Sequence, residues 1–212
     1  MNQPVGVGEW GRVAVAEGNP HAEGMTDTRS RRDALYAQLE ALPPHFVGEI
    51  VGGELYASPR PRPRHSRASS QLGGELLRPF GRGLGGPGGW LILDEPELHL
   101  ADDVLVPDMA GWRRERMPSL PMDVVGLTLA PDWVCEVLSP STVKLDRSRK
   151  MAVYAREGVR HLWLVDPTPE TLEVYRLESG HWRVVGTHAG AVQVRVEPFE
   201  ALELELGVLW ER

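Results

Sequence analysis

The sequence predicts a mixed α/β sheet flanked by helices, and three observations carry that expectation. Trp133 to Leu138, a helical stretch of about Val143 to Arg156 closed by Gly158, and Leu162 to Val165 form a strand–helix–strand run. Such a crossover makes the two strands parallel neighbours in one sheet. Gly52-Gly53 stands between two apolar segments, Phe46 to Val51 and Glu54 to Ala57. That pattern reads as a tight hairpin, because glycine accepts the positive φ of its turn. From Thr171 onward, Thr171 to Leu177, Trp182 to Thr187 and Val192 to Val196 read as an antiparallel meander, with Ser179-Gly180 at one turn.

Composition fits that class. The 212 residues suit one domain of ordinary size. Hydrophobic residues at 42% and charged residues at 25% are normal globular usage, which argues against a disordered or fibrous chain. No apolar run approaches the roughly 20 residues of a membrane-spanning helix, so no membrane partner is expected. No basic start followed by an apolar stretch marks a secretory signal. Cys135 is the single cysteine and cannot form an internal disulfide, so a reducing, cytoplasmic setting is expected. The formal net charge of -7 disfavours a protein that coats DNA by bulk attraction. It leaves a nuclease open, since metal-binding carboxylates are themselves acidic.

In chain order, residues 1–24 read as a loose glycine-rich tail ahead of a domain over 25–212, with Met25 an alternative start. Asp33 to Leu42 reads as a short helix with Leu35, Leu39 and Leu42 on one side, stopped by Pro43-Pro44. After the hairpin, Arg60-Pro61-Arg62-Pro63-Arg64 must be extended, because proline fixes φ and disfavours helix in the residue before it. A helix from about His65 to Phe80 presents Leu72, Leu76 and Leu77 as an apolar face. Gly81 to Gly89 is a loop that lacks the Gly-Lys-Ser/Thr ending of a phosphate-binding loop. Trp90 to Leu93 and Val104 to Val106 are the strands expected before the crossover.

Three residue patterns carry chemistry. In Trp133-Val134-Cys135-Glu136-Val137-Leu138 alternation puts Glu136 on the face of Val134 and Leu138. A carboxylate there needs a basic partner or a metal ion, unless the strand is an edge and Glu136 meets water. Asp108 closes the short run Val104-Leu105-Val106-Pro107, which places a second carboxylate at a strand end; alone, Pro-Asp is also a common turn. Two carboxylates converging from adjacent strands suit a hard divalent cation such as Mg²⁺. Asp146, Lys150 and Tyr154, spaced by four, share one helical face. That face is either an exposed ion pair of little energetic value or one that turns Lys150 toward the carboxylates.

These residues resemble the Uma2 family, described as restriction endonucleases with a PD-(D/E)XK nuclease core. The resemblance rests on Pro131 through Thr142 with its Glu-Val-Leu-Ser-Pro-Ser-Thr run, on Asp146, Lys150 and Tyr154, and on Gly158 through Pro167. The hairpin Glu49 through Leu55, His65 and Val106-Pro107-Asp108 also fit, so the likeness spans about residues 30 to 210. It implies a restriction-endonuclease-like sheet core and cleavage of DNA with Mg²⁺ or Mn²⁺. Asp108 and Glu136 would be metal ligands and catalytic acids, with Glu49 as an additional acid near the metal. The motif lysine belongs two residues after Glu136, where this chain has Leu138; Lys150 on the following helix is its substitute.

His65 matches a histidine of the family ahead of the helix and is a candidate phosphate contact or proton shuttle. Arg62 and Arg64, with Arg60, form a basic strip suited to phosphates, as do Arg113, Arg114 and Arg116. Enzymes of the restriction type often act as homodimers. Two other readings stay open: a nuclease fold without catalysis that binds nucleic acid or protein, which Leu138 favours, and a hydrolase using Cys135 or Ser139 as nucleophile with a histidine in contact.

Overall fold

A computed structural model of the protein describes residues 26–211. The expected tail over 1–24 and the alternative start at Met25 lie outside the described residues. The chain begins with α1 (Thr26–Glu40), a hairpin of β1 (Phe46–Val51) and β2 (Glu54–Pro59), and α2 (Pro63–Leu76) with a π-helical turn at Leu77–Gly81. Then come β3 (Trp90–Asp94), β4 (Leu98–Leu100), β5 (Asp103–Leu105), β6 (Met109–Arg113) and β7 (Trp133–Val137). The crossover consists of α3 (Val143–Leu145), a π-helical turn (Asp146–Lys150) and α4 (Met151–Arg156). β8 (His161–Asp166), β9 (Thr171–Glu178), β10 (His181–Ala189), β11 (Gln193–Val194), β12 (Leu204–Glu205) and α5 (Gly207–Trp210) complete it.

The expected mixed α/β architecture is present as a six-stranded sheet in the order β10-β9-β8-β7-β6-β3. Only β7 and β8 run parallel, registered from Trp133 opposite His161 to Val137 opposite Val165, as the helical crossover requires. A second sheet, β2-β1-β5-β4, carries the Gly52-Gly53 hairpin, whose two glycines have φ of 61° and 74°. Gly53 in that turn has no neighbour that a Cβ would strike, so conformation alone selects glycine there.

Side-chain alternation on β7 divides the core. Trp133, Cys135 and Val137 face Leu72, Leu76 and Phe80 of the α2 region together with Trp90, Trp163 and Phe199. Phe199 lies 4.7 to 5.5 Å from the rings of Phe80, Trp90, Trp133 and Trp163, in tilted or edge-on packing. Val134 and Leu138 face the other way, toward Trp112, Tyr154, Leu162 and Leu164. Glu136 has their parity.

Several elements differ from the sequence reading. The helix expected from His65 starts at Pro63, because proline suits the first helical turn, where its missing N–H costs nothing. The strand expected at Val104 to Val106 is Asp103–Leu105, and the Val106 N–H leaves the ladder to bond the Glu49 carboxylate at 2.8 Å. Asp108 therefore does not end that strand; it immediately precedes β6. The third meander strand is also corrected: Gln193–Val194 pairs with Leu204–Glu205 in a separate two-stranded sheet. Only β8, β9 and β10 form the meander.

Candidate active site

β7 lies inside the sheet between β6 and β8, which removes the edge-strand explanation of Glu136. Its side chain is 2% exposed. β6 and β7 are antiparallel, with Met109 opposite Cys135 and Ala110 opposite Val134. One further step along that register sets Asp108 opposite Glu136, within the reach of a cross-strand pair. The Asp108 carboxylate is fixed on β7 itself, since the Val137 N–H donates to Oδ2 at 2.7 Å.

The crossover helix brings the cation. Lys150 Nζ lies 2.9 Å from Glu49 Oε1, 2.9 Å from Glu136 Oε1 and 3.5 Å from Asp146 Oδ1. Tyr154, one turn on, donates its hydroxyl to the same Glu136 Oε1 at 2.6 Å. Asp146, Lys150 and Tyr154 thus share the face that their spacing indicated, although a π-helical turn interrupts the helix between the first two. Such turns recur where a helix must present side chains to a site. Glu49 comes from β1 of the second sheet, so the ammonium ties the two sheets together.

A second contact pair adjoins the first. His65 Nε2 approaches Asp108 Oδ1 at 3.1 Å, from the first turn of α2. Ser69, four residues on, donates to Asp94 Oδ1 at 3.4 Å, at the end of β3. Neither Ser69 nor Asp94 was singled out in the sequence reading. The available signal for Asp94 was the same as for Asp108, an acid closing an apolar strand, while Ser69 could be found only through its i, i+4 relation to His65.

Electrostatics follow from this crowding. Burial works to strip the charge from Lys150, but Glu136, Glu49, Tyr154 and Asp146 hold its ammonium well above its ordinary range. Burial, opposed by Lys150 and reinforced by the other acids, pushes the Glu136 carboxyl well up. Asp146 is pushed up to about 6 by burial, again against Lys150. Burial opposes the charge on His65, yet its contact with Asp108 leaves the imidazole above its ordinary value. Each direction reports several negative groups gathered in a space that water barely enters.

The basic strips lie apart from this cage in their contacts. Arg62 and Arg64 are exposed. Arg60 pairs with Glu95, Arg116 with Asp132, and the Arg113 guanidinium lies over the Trp90 ring. The nucleophile reading has no structural footing. Cys135 is fully buried with its thiol pushed well up by burial, and Ser139 shares hydrogen bonds with Ser141 and Thr142. Among the described residues, neither has a histidine hydrogen-bond partner. Leu138, in the motif-lysine position, is 4% exposed and packs in the apolar cluster.

Comparison with known proteins agrees with this architecture. The family model Uma2, described as "Putative restriction endonuclease", matches residues 34–208. A crystal structure from Anabaena variabilis, described as a "putative nuclease belonging to DUF820", superposes with a TM-score of 0.66 at 22% identity, covering 83% of this chain and 96% of that one. At that identity the likeness speaks for the fold. No curated protein matches the chain.

Proposed function

The chain belongs to the Uma2 family of restriction-endonuclease-like proteins, and we propose that it is a metal-dependent endonuclease that hydrolyses phosphodiester bonds of DNA. One observation carries the reading: Asp108, just ahead of β6, stands one step beyond the ladder opposite Glu136 of β7, and Lys150 reaches Glu136 at 2.9 Å from the crossover helix. The three residues are far apart in sequence, and nothing about sheet stability requires them to meet.

The donor chemistry fits a hard divalent cation. Glu49, Asp108, Glu136 and Asp146 are all carboxylates, and among the described residues only Lys150 and His65 offset them as ion-pair partners. Among the described residues no three acidic, histidine or cysteine groups form a ready-made metal cage. Magnesium needs none, because it keeps several waters and takes one or two carboxylates plus substrate phosphate oxygens. Asp108 and Glu136 would hold it, with Glu49 as the additional acid from the second sheet. Bound there, such an ion polarises the scissile phosphate and lowers the pKa of a water.

The remaining steps belong to side chains. The Val137 N–H and His65 fix the two oxygens of Asp108, so this carboxylate needs no reorganisation when substrate arrives. The Tyr154 hydroxyl fixes Glu136 in the same manner. Lys150 supplies the ammonium that orients the attacking water and offsets charge growing on the phosphate, replacing the lysine missing at Leu138. Arg62 and Arg64 contact the DNA backbone outside the cage, where exposed guanidinium groups suit bidentate phosphate binding. Cutting both strands would take two such sites, hence two copies of the chain.

Incubating supercoiled plasmid with the protein and Mg²⁺ or Mn²⁺ tests the reading. Wild type nicks or linearises the plasmid and Asp108→Ala does not, while its thermal unfolding stays cooperative. Cleavage by Asp108→Ala at the wild-type rate would remove the assignment. Leu138 in the motif-lysine position favours the competing view of a non-catalytic nucleic-acid or protein-binding module. That view predicts no cleavage by wild type and no binding of Mg²⁺ or Mn²⁺ through Asp108 and Glu136.

A further inference from the structure

Lys150 is more enclosed than a water-orienting lysine needs to be. Its side chain is 3% exposed, and the three carboxylates around it are 6% exposed or less. They come from three different places: β1, β7 and the π-helical turn. The two nearest oxygens are already in use, because Glu49 Oε1 also accepts the Val106 N–H and Glu136 Oε1 also accepts the Tyr154 hydroxyl. A dication drawn to these oxygens would meet the ammonium at the same point. Two positive centres there would repel strongly in a space of low dielectric.

Residue choice agrees. Lys144 and Lys150 are the only lysines among the chain's 23 basic residues, the rest being arginine. A guanidinium is a rigid fork, whereas an ammonium is a compact point charge on a flexible four-carbon stem. A compact point charge fits between two carboxylates, and its flexible stem lets it swing aside without moving the helix.

We propose that the Lys150 ammonium is the built-in counter-ion of this cluster, and that it and a divalent cation take the gap between Glu49 and Glu136 by turns. The inference rests on the metal-dependent reading given above and adds a regulatory step to it. Ion binding is opposed by Lys150 until the ammonium withdraws to the rim of the site, where it can face a phosphate. By linkage, whatever weakens the lysine's hold on Glu49 and Glu136 strengthens the ion's by the same factor.

Two readouts other than cleavage test this. First, Mn²⁺ is titrated calorimetrically into wild type and Lys150→Met after treatment with chelator. The variant should bind roughly tenfold or more tightly, and its melting temperature should rise more with Mn²⁺ than that of wild type. Equal affinities would overturn the inference but leave the metal-dependent reading standing; no binding by either protein would sink both. Should Lys150→Met not fold, Lys150→Met with Asp146→Asn removes one uncompensated charge, leaves Glu49 and Glu136 in place, and is titrated instead. Second, amine acylation of wild type is followed by mass spectrometry, with exposed Lys144 as the internal reference. Lys150 should be protected in chelator and become several-fold more reactive at saturating Mn²⁺. Unchanged protection with the ion bound would show that ammonium and ion sit side by side, contrary to the proposal.

Discussion

The two faces of β7 are built on opposite physics. On one, Trp133, Cys135 and Val137 enter an apolar cluster where Phe199 touches four aromatic rings. On the other, Val134 and Leu138 bracket Glu136, which ends in a cage of charges and a tyrosine hydroxyl. Both faces are equally dry, so burial alone does not distinguish them. The first gains free energy from every apolar surface removed from water. The second spends much of its Coulombic attraction on desolvating the ions that make it, so it adds little net stability while fixing geometry. On the proposed function, the strand thus separates what holds the protein together from its site.

Substitutions on the two faces should therefore dissociate. Phe199→Ala removes the hub of the aromatic cluster and should cost about 3–5 kcal/mol in denaturant unfolding. The folded fraction should still cleave DNA at the wild-type rate per molecule. Glu136→Gln is the mirror image. It keeps shape and an acceptor for Tyr154, removes a charge that burial disfavours, and should change stability by no more than about 1 kcal/mol. Plasmid cleavage should nevertheless be lost. A large stability loss in Glu136→Gln, or lost cleavage in folded Phe199→Ala, would break the division between the faces.

The smallest effect is one of slope. Burial lifts the Asp146 carboxyl from an ordinary 3.8 to about 6. Between those values the folded protein holds a proton that the unfolded chain has released, so this group makes stability fall as pH rises through that window. Asp146→Asn should flatten that part of the stability–pH curve, measured by denaturant unfolding at steps from pH 4 to 7. An unchanged slope would mean that Asp146 is not desolvated as its contacts indicate.

Much of this was legible in the residues themselves. The hairpin glycines, the parallel crossover and the parity of Glu136 follow from turn chemistry and period-2 alternation, and the family likeness supplied the pairing of Asp108 with Glu136. β6 was not legible. Met109–Arg113 contains Ala110 and Gly111, which carry no β signal, and four of its five residues are buried, so no polar alternation marks it. Gly111 is there for packing, since a Cβ would approach the Trp133 and Trp90 rings to 3.2 Å, a constraint visible only in three dimensions. Glu49 came to the cluster through the family likeness alone; no residue pattern indicates it, because its contact with Lys150 depends on how one sheet docks against another. Val192 to Val196 read as a meander strand because its partner, Leu204–Glu205, is too short to announce itself.

The most direct test is a crystal of the wild-type protein grown or soaked with Mn²⁺ and measured at the manganese absorption edge. We expect an anomalous peak coordinated by Asp108 and Glu136 with Glu49 beside it, and the Lys150 ammonium moved off Glu49 and Glu136. A peak on other residues, or none at a concentration that supports plasmid cleavage, would contradict it.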